Sequence, residues 1–229
     1  MDNKTIAIIV AGGTGKRMGS HIPKQFLDLA GKPVIIHTLE KFEKSPLVDG
    51  IVIVSHADHI EKTEKLAKEH DISKLLKVVA GGETRQASSY NGLKACTEGT
   101  EIVLIHDAVR PFIDDRIIKD VLEAARVTGA ATTVIESTDT IVFAEDDIIE
   151  DIPPRSQVKR VQTPQGFKYG VILKAHEDAI AEGVADYTDD CGLILVRGGS
   201  VKIVPGAFEN LKITDKIDLL MAESLVKKR

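Results

Sequence analysis

The sequence predicts an α/β fold, an open and mainly parallel sheet flanked by helices, and three observations carry the prediction. Short apolar runs alternate with amphipathic, helix-patterned stretches from Thr5 to Ile135. The first run, TIAIIV, shows no polar alternation, the pattern of a strand buried on both faces. Polar clusters follow three of the runs directly, where open α/β sheets bind their ligands.

Taken in order, residues 5–10 (TIAIIV) form the first strand, which Gly12-Gly13-Thr14-Gly15 breaks. A helix is expected over about 34–43, a second buried strand over 50–55 and a charged helix over 59–69. Residues 76–79 read as a short strand ending at Gly81-Gly82, 87–95 as a helix and 102–105 as a strand ending at His106-Asp107. A helix over 116–128 and a strand over 131–135 complete the rhythm. The segment 138–163 breaks it. Thr140-Ile141-Val142-Phe143, the acidic turn Glu145-Asp146-Asp147 and Ile148-Ile149 read as a β-hairpin. No helical stretch covers it, so two readings stand: an arm packed on another subunit, or a hairpin folded back on its own domain. Further on, Asp189-Asp190 is placed to cap a helix starting near Cys191. Lys212 sits on an expected short apolar strand, Asn210-Leu211-Lys212-Ile213-Thr214, before a terminal helix.

Composition narrows the function. With 229 residues, 43% of them hydrophobic, the chain can bury the core of one large domain, 1–229, carrying the hairpin at 138–163 as an appendage. A formal net charge of −5 argues against a dedicated nucleic-acid binder. An aromatic content of 4% without Trp argues against a base-stacking platform. No apolar run reaches the ~18 residues of a membrane span. The apolar start runs into glycines and suits a strand better than a signal peptide. Cys96 and Cys191 form no Cys-x-x-Cys pair, which suits reduced thiols in the cytoplasm.

Three clusters can carry chemistry. Ala11-Gly12-Gly13-Thr14-Gly15-Lys16-Arg17-Met18 directly follows a buried strand. Glycines let backbone amides approach and cradle phosphate oxygens, but the spacing matches neither the P-loop nor the dinucleotide fingerprint. Lys16 and Arg17 lie in the loop, and Lys24 follows in the stiff turn Pro23-Lys24-Gln25-Phe26. Such cations neutralise a polyphosphate and the charge that develops at a transferring phosphorus; as solvated surface residues they would do neither. The second cluster, Gly81-Gly82-Glu83-Thr84-Arg85-Gln86-Ala87-Ser88, offers a second glycine turn and hydroxyls that either cap a helix or face a base or ribose. The third is His106-Asp107-Ala108-Val109-Arg110-Pro111. Asp107 suits either a turn cap or the one carboxylate that a phosphate-bound Mg²⁺ requires.

These motifs, with Gln162-Thr163-Pro164-Gln165 and Asn210-Leu211-Lys212-Ile213-Thr214, occur in one order over nearly the whole chain. In that order they resemble the cytidylyltransferase family that acts on 2-C-methyl-D-erythritol 4-phosphate or ribitol 5-phosphate. The resemblance implies a Rossmann-like sheet with a protruding β-hairpin arm. It implies an attack by a polyol phosphate on CTP that gives a CDP-polyol and pyrophosphate, with Mg²⁺ or another divalent cation. By position, Arg17, Lys24, Arg155 and Lys212 match the catalytic cations. Ala11, Gly12, Gly13, Thr14, Gly15 and Lys16 match the triphosphate cradle. Gly81, Gly82, Glu83, Arg85, Ser88, Asp107 and Ala108 match the rest of the nucleotide site, with Asp107 beside the metal. Thr140, Arg110, Arg155 and Lys212 match acceptor contacts, and the arm implies a homodimer in which Thr140 and Arg155 reach the partner's site.

Val109 and the run Ile152-Pro153-Pro154-Arg155 look like the ribitol branch, whereas Gly82 to Ser88, Val161 to Phe167 and Thr188-Asp189-Asp190 look like the methylerythritol branch. The reading taken is methylerythritol phosphate, a step toward isoprenoid precursors. CDP-ribitol synthesis is the alternative, and a sugar-phosphate enzyme using UTP or GTP is a more distant one. A silent nucleotide-binding module would be expected to lack a cation, and all four are present.

Overall fold

The computed structural model describes residues 3–13, 22–184 and 187–227. In chain order the strands and helices are β1 (Lys4–Ala11), β2 (Asp28–Leu29), β3 (Lys32–Pro33), α1 (Val34–Lys44), β4 (Gly50–Ser55), α2 (Ile60–Glu69), β5 (Leu75–Ala80), α3 (Arg85–Lys94), β6 (Thr100–Asp107), α4 (Asp115–Thr128), β7 (Ala130–Glu136), β8 (Phe143–Glu145), β9 (Ile148–Asp151), β10 (Lys159–Lys168), α5 (Tyr169–Ala181), α6 (Asp190–Leu195), β11 (Lys202–Pro205) and α7 (Lys216–Lys227). Seven strands form the main sheet in the order β11-β7-β10-β6-β1-β4-β5. Neighbours are parallel except around β10, which runs antiparallel to both β6 and β7. The expected Rossmann-like α/β architecture is the one observed.

The unbroken apolar character of β1 has a direct cause. Its side chains alternate between two cores: Ala7 and Ile9 pack into the one that holds α1, α2 and α4, and Ile6 and Ile8 into the one that holds Leu93 of α3, Ile172 of α5 and Leu193 of α6. Every position faces an apolar layer, so no polar alternation survives. Gly92 lets α3 approach the sheet, since a Cβ there would stand 2.5 Å from Ile8 Cγ2 and 2.8 Å from Val54 Cγ2. A third, smaller core of Leu29, Val34, Val109, Phe112, Ile213 and Ala222 holds α7 beside the loop after β6.

Three sequence expectations change. Residues 159–163 belong to β10, inside the sheet, so the arm is the shorter segment between β7 and β10. Pro164 hid this strand, because proline is foreign to a central strand except at an irregularity. The register does shift there, between Gln162 and Gln165. The hairpin strands begin at Phe143 rather than Thr140. They turn through Asp146 and Asp147, both at positive φ (47° and 63°), as a two-residue hairpin loop requires. Residues 210–214 form no strand; they cross the loop after β6, where the Ile213 amide donates to the Val109 carbonyl at 2.9 Å.

Candidate active site

A cleft of about 370 Å³ opens at the C-terminal ends of β1, β5 and β6. Ala11, Gly12 and Gly13 continue from β1 into its wall. Thr14, Gly15, Lys16 and Arg17 lie outside the described residues. Pro23 then leads into one tight 3₁₀ turn, Lys24–Phe26. The Gln25 amide Nε2 is buried and donates to the Ala11 carbonyl at 2.7 Å, which fastens this turn to the end of β1. Phe26 is buried in the core below. The fastening places Lys24 beside Gly13. Its Cε lies 3.7 Å from the point where a Cβ on Gly13 would stand, and it lines the cleft.

The turn after β5 forms the next wall. The Gly81 amide donates to the Ser55 carbonyl at 2.8 Å, and Gly81 stands behind the cleft lining. Gly82 lines the cleft and donates its amide to Ser88 Oγ at 3.1 Å. A Cβ on Gly82 would stand 2.4 Å from the Ala87 Cβ, so the turn closes this tightly only with glycine. Thr84 caps α3 by accepting from the Ala87 amide, and Ser88 Oγ donates to the Thr84 carbonyl at 2.9 Å. The two hydroxyls are therefore local fasteners that also border the cleft with Glu83 and Arg85. Arg85 Nη1 donates to Asp190 Oδ2 at 2.5 Å.

β6 delivers Asp107 and Ala108. Asp107 is buried, accepts from Lys212 Nζ at 2.9 Å and from Arg110 Nε at 3.4 Å, and lines the cleft. Burial by itself would raise its pKa. Lys212, Arg110 and Arg85 outweigh burial and hold the carboxyl well below the usual carboxylate range, so it is ionised. Arg110 is buried and donates through Nη1 to the Asn210 carbonyl at 2.8 Å, which makes it a brace between the β6 loop and residue 210. It also borders a second cavity of about 420 Å³, with Arg160, Thr214 and Lys212. Lys212 lines both cavities and joins them. His106, one residue before the carboxylate, is buried between Phe42, the Arg110 carbonyl and Thr163 Oγ1. Burial brings its pKa down to about 4 against weaker opposition from the Arg110 carbonyl and Asp107, so the ring is neutral.

Two predicted site residues stay away from this chain's cleft. Arg155 and Thr140 lie on the exposed arm, joined by a 3.2 Å hydrogen bond from Arg155 Nη2 to Thr140 Oγ1. Among the described residues no group of three or more His, Cys, Asp or Glu could hold a metal by itself.

Residues 5–228 match the family described as 2-C-methyl-D-erythritol 4-phosphate cytidylyltransferase. The chain is 45% identical over 228 residues to the protein of that name from Geobacter metallireducens, covering 97% of each. It is 42% identical to the one from Clostridium novyi, covering 98% of this chain and 97% of the relative. The chain belongs to the 2-C-methyl-D-erythritol 4-phosphate cytidylyltransferase family. Solved structures agree. The 4-diphosphocytidyl-2C-methyl-D-erythritol synthase of Anaerococcus prevotii superposes with a TM-score of 0.87 at 30% identity, over 99% of this chain and 100% of that one. The Thermus thermophilus 2-C-methyl-D-erythritol 4-phosphate cytidylyltransferase gives 0.79 at 29% identity, over 96% and 98%.

Membership makes the chain an enzyme, a nucleotidyltransferase of isoprenoid precursor synthesis, and favours methylerythritol phosphate over ribitol phosphate and over the UTP- or GTP-dependent sugar alternatives. Sequence reading missed what steadies the cleft. Asp190 was visible only as a cap, a role that its neighbour Asp189 fills by accepting from the Cys191 amide. Thr163 and Asn210 were visible only as motif letters. Thr163 Oγ1 accepts from the Asp107 amide at 3.1 Å, and Asn210 Nδ2 donates to the Thr163 carbonyl at 2.8 Å.

Proposed function

We propose that the 370 Å³ cleft holds CTP, with cytidine against Gly82, Glu83, Arg85 and Ser88 and the triphosphate over Gly12, Gly13 and Lys24. By the family resemblance, Thr14, Gly15, Lys16 and Arg17, outside the described residues, are assigned to the same triphosphate cradle. The second cavity takes the acceptor phosphate, with Lys212 between the two substrates. One observation carries the reading: Lys24, Arg85 and Lys212 converge from distant parts of the chain on one glycine-walled cleft beside an ionised carboxylate.

A phosphate oxygen of methylerythritol phosphate attacks the α-phosphorus of CTP in line. The new P–O bond forms as the bond to the bridging α,β-oxygen breaks, and its electron pair leaves with pyrophosphate. No covalent enzyme intermediate is needed, so the protein's part is placement and charge stabilisation. Lys24 and Arg17 stabilise the charge that grows around the α-phosphorus. Asp107, ionised and facing the cleft, is the residue that would hold a Mg²⁺ bound with the nucleotide, and such an ion would supply charge neutralisation of the triphosphate.

Thr140 and Arg155 reach the acceptor from a second copy. The arm's strands are exposed along their length, and Phe143, Ile148 and Ile149 present largely exposed apolar side chains. Cytoplasmic residence fits the two free thiols, Cys96 and Cys191, and among the described residues no helix is long and apolar enough to cross a membrane.

Pyrophosphate release is measured with CTP, UTP and GTP, each offered methylerythritol phosphate and ribitol phosphate. Turnover is expected with CTP and methylerythritol phosphate, and preference for another pair rejects the assignment. The arm is tested by mixing Lys24→Ala with Arg155→Ala. Activity is read at acceptor concentrations well below its KM, where both variants are weak; if the arm serves the partner, each mixed dimer regains one intact site and a statistically mixed sample reaches about a quarter of wild-type activity. No recovery means that each arm serves its own chain.

A further inference from the structure

Arg85 stands between two buried carboxylates. It feels the charge of both Asp190 and Asp107, but its hydrogen bond goes to Asp190, at 2.5 Å. Asp190 is fully enclosed, and its two oxygens are held separately. Oδ2 takes Arg85 Nη1 and, at 3.3 Å, Ser89 Oγ; Oδ1 faces His176 Nε2 at 3.2 Å. His176 is buried as well, and its ring stacks on Tyr90 with centroids 6.0 Å apart and planes 20° apart. Burial would raise the Asp190 pKa, but Arg85 and His176 bring it below the ordinary value. A carboxylate needs a donor there, so His176 presents an N–H at Nε2.

We propose that Asp190 and His176 are positioning residues for the nucleotide site: they hold the Arg85 guanidinium at the cytidine wall and keep it from closing on Asp107. The chain of contacts supports this. His176 sits on α5, Asp190 opens α6 and Arg85 opens α3, so two helices behind the cleft fix the side chain that lines its front. Without Asp190 the strongest remaining charge acting on Arg85, ahead of that of Asp189, is that of Asp107. A guanidinium drawn there would leave the cytidine wall and compete with Lys212 for its partner. The inference rests on the cleft being the CTP site.

The test is steady-state kinetics of Asp190→Asn, His176→Gln and Arg85→Gln, and of each double variant with Arg85→Gln, with active enzyme counted by a single-turnover burst. Asp190→Asn is expected to raise the KM for CTP by at least about tenfold, the worth of one charge-assisted hydrogen bond, with the KM for the acceptor unchanged. His176→Gln should raise it less. The decisive reading is coupling: adding Asp190→Asn or His176→Gln to Arg85→Gln should change the CTP KM by less than about twofold, because the single variants act through Arg85. A merely structural pair would lower the active fraction or the melting temperature and leave the CTP KM alone. That result, or additive effects in the double variants, overturns the proposal. If Asp190→Asn does not fold, the His176→Gln and Arg85→Gln cycle gives the same reading. Wild-type enzyme that fails to turn over CTP would instead reject the assignment of the cleft.

Discussion

Replacing Lys24 by alanine isolates one cation aimed at the triphosphate. The turn that carries it is pinned by Gln25 to the end of β1, so the backbone should survive the change. Lys24 lines the cleft and its Cε stands 3.7 Å from the Gly13 Cβ point, so the side chain borders the part of the cleft that the proposed function gives to the triphosphate. A unit charge about 4 Å from charge developing at phosphorus is worth about 4 kcal/mol at an effective dielectric near 20. Loss of a single preorganised donor at a developing oxyanion costs roughly 10² to 10³ in kcat. The two routes agree, so Lys24→Ala should lower kcat by roughly 10² to 10³ while the KM for CTP moves far less, because the charge matters most in the transition state. Pyrophosphate release at saturating CTP and acceptor measures it, with circular dichroism to confirm folding. A fall in kcat below about threefold, or a loss confined to KM, would refute the placement of Lys24 over the reacting phosphorus.

Arg155→Ala should raise the KM for the acceptor roughly tenfold, the worth of one charged hydrogen bond, and leave CTP binding unchanged; weakened CTP binding alone would place the arm elsewhere. Gly82→Ala should destabilise the protein by about 1 to 3 kcal/mol, since the added Cβ would overlap Ala87. Thermal denaturation and the KM for CTP should shift together. Stability should depend on pH through His106, whose pKa of about 4 lies below the unfolded value of about 6.5. The unfolded chain binds the proton first, so this contribution is complete above pH 6.5 and disappears as the pH falls toward 4. It amounts to about 3 kcal/mol. Urea unfolding between pH 7 and 4.5 should show the decline, and His106→Asn should flatten it.

The parts of the molecule legible in the sequence are those fixed by local pattern. β1, β4 and β6 were plain because each lies between two apolar layers. The glycine turns and the carboxylate at the end of β6 were plain because backbone geometry restricts them to few residue types. β10 was not, because a central strand was built from polar letters and a proline. Gln165 Nε2 donates to Thr132 Oγ1 and Asp189 Oδ2, and Gln162 Nε2 donates to the Ala207 carbonyl, so long-range hydrogen bonds make these side chains acceptable in the interior. Asp190 and Arg85 are 105 residues apart, and no period in the sequence links them. Arg110, read as an acceptor contact, borders the second cavity, and its bonds to Asp107 and the Asn210 carbonyl were not legible in the sequence.

Those commitments explain how a chain of net charge −5 keeps a cationic cleft. Cations gathered without partners would repel one another and pay a desolvation cost. Here Arg85 is matched by Asp190, and Arg110 and Lys212 share Asp107. The sharing is unequal. Arg110 is buried and anchored at both ends, whereas the Lys212 side chain is 38% exposed and borders both cavities. Of the two cations on Asp107, Lys212 is thus the one that reaches both cavities. One buried carboxylate thus ties together two cations that border the cavities, while its own negative charge and that of Glu83 remain in the cleft wall.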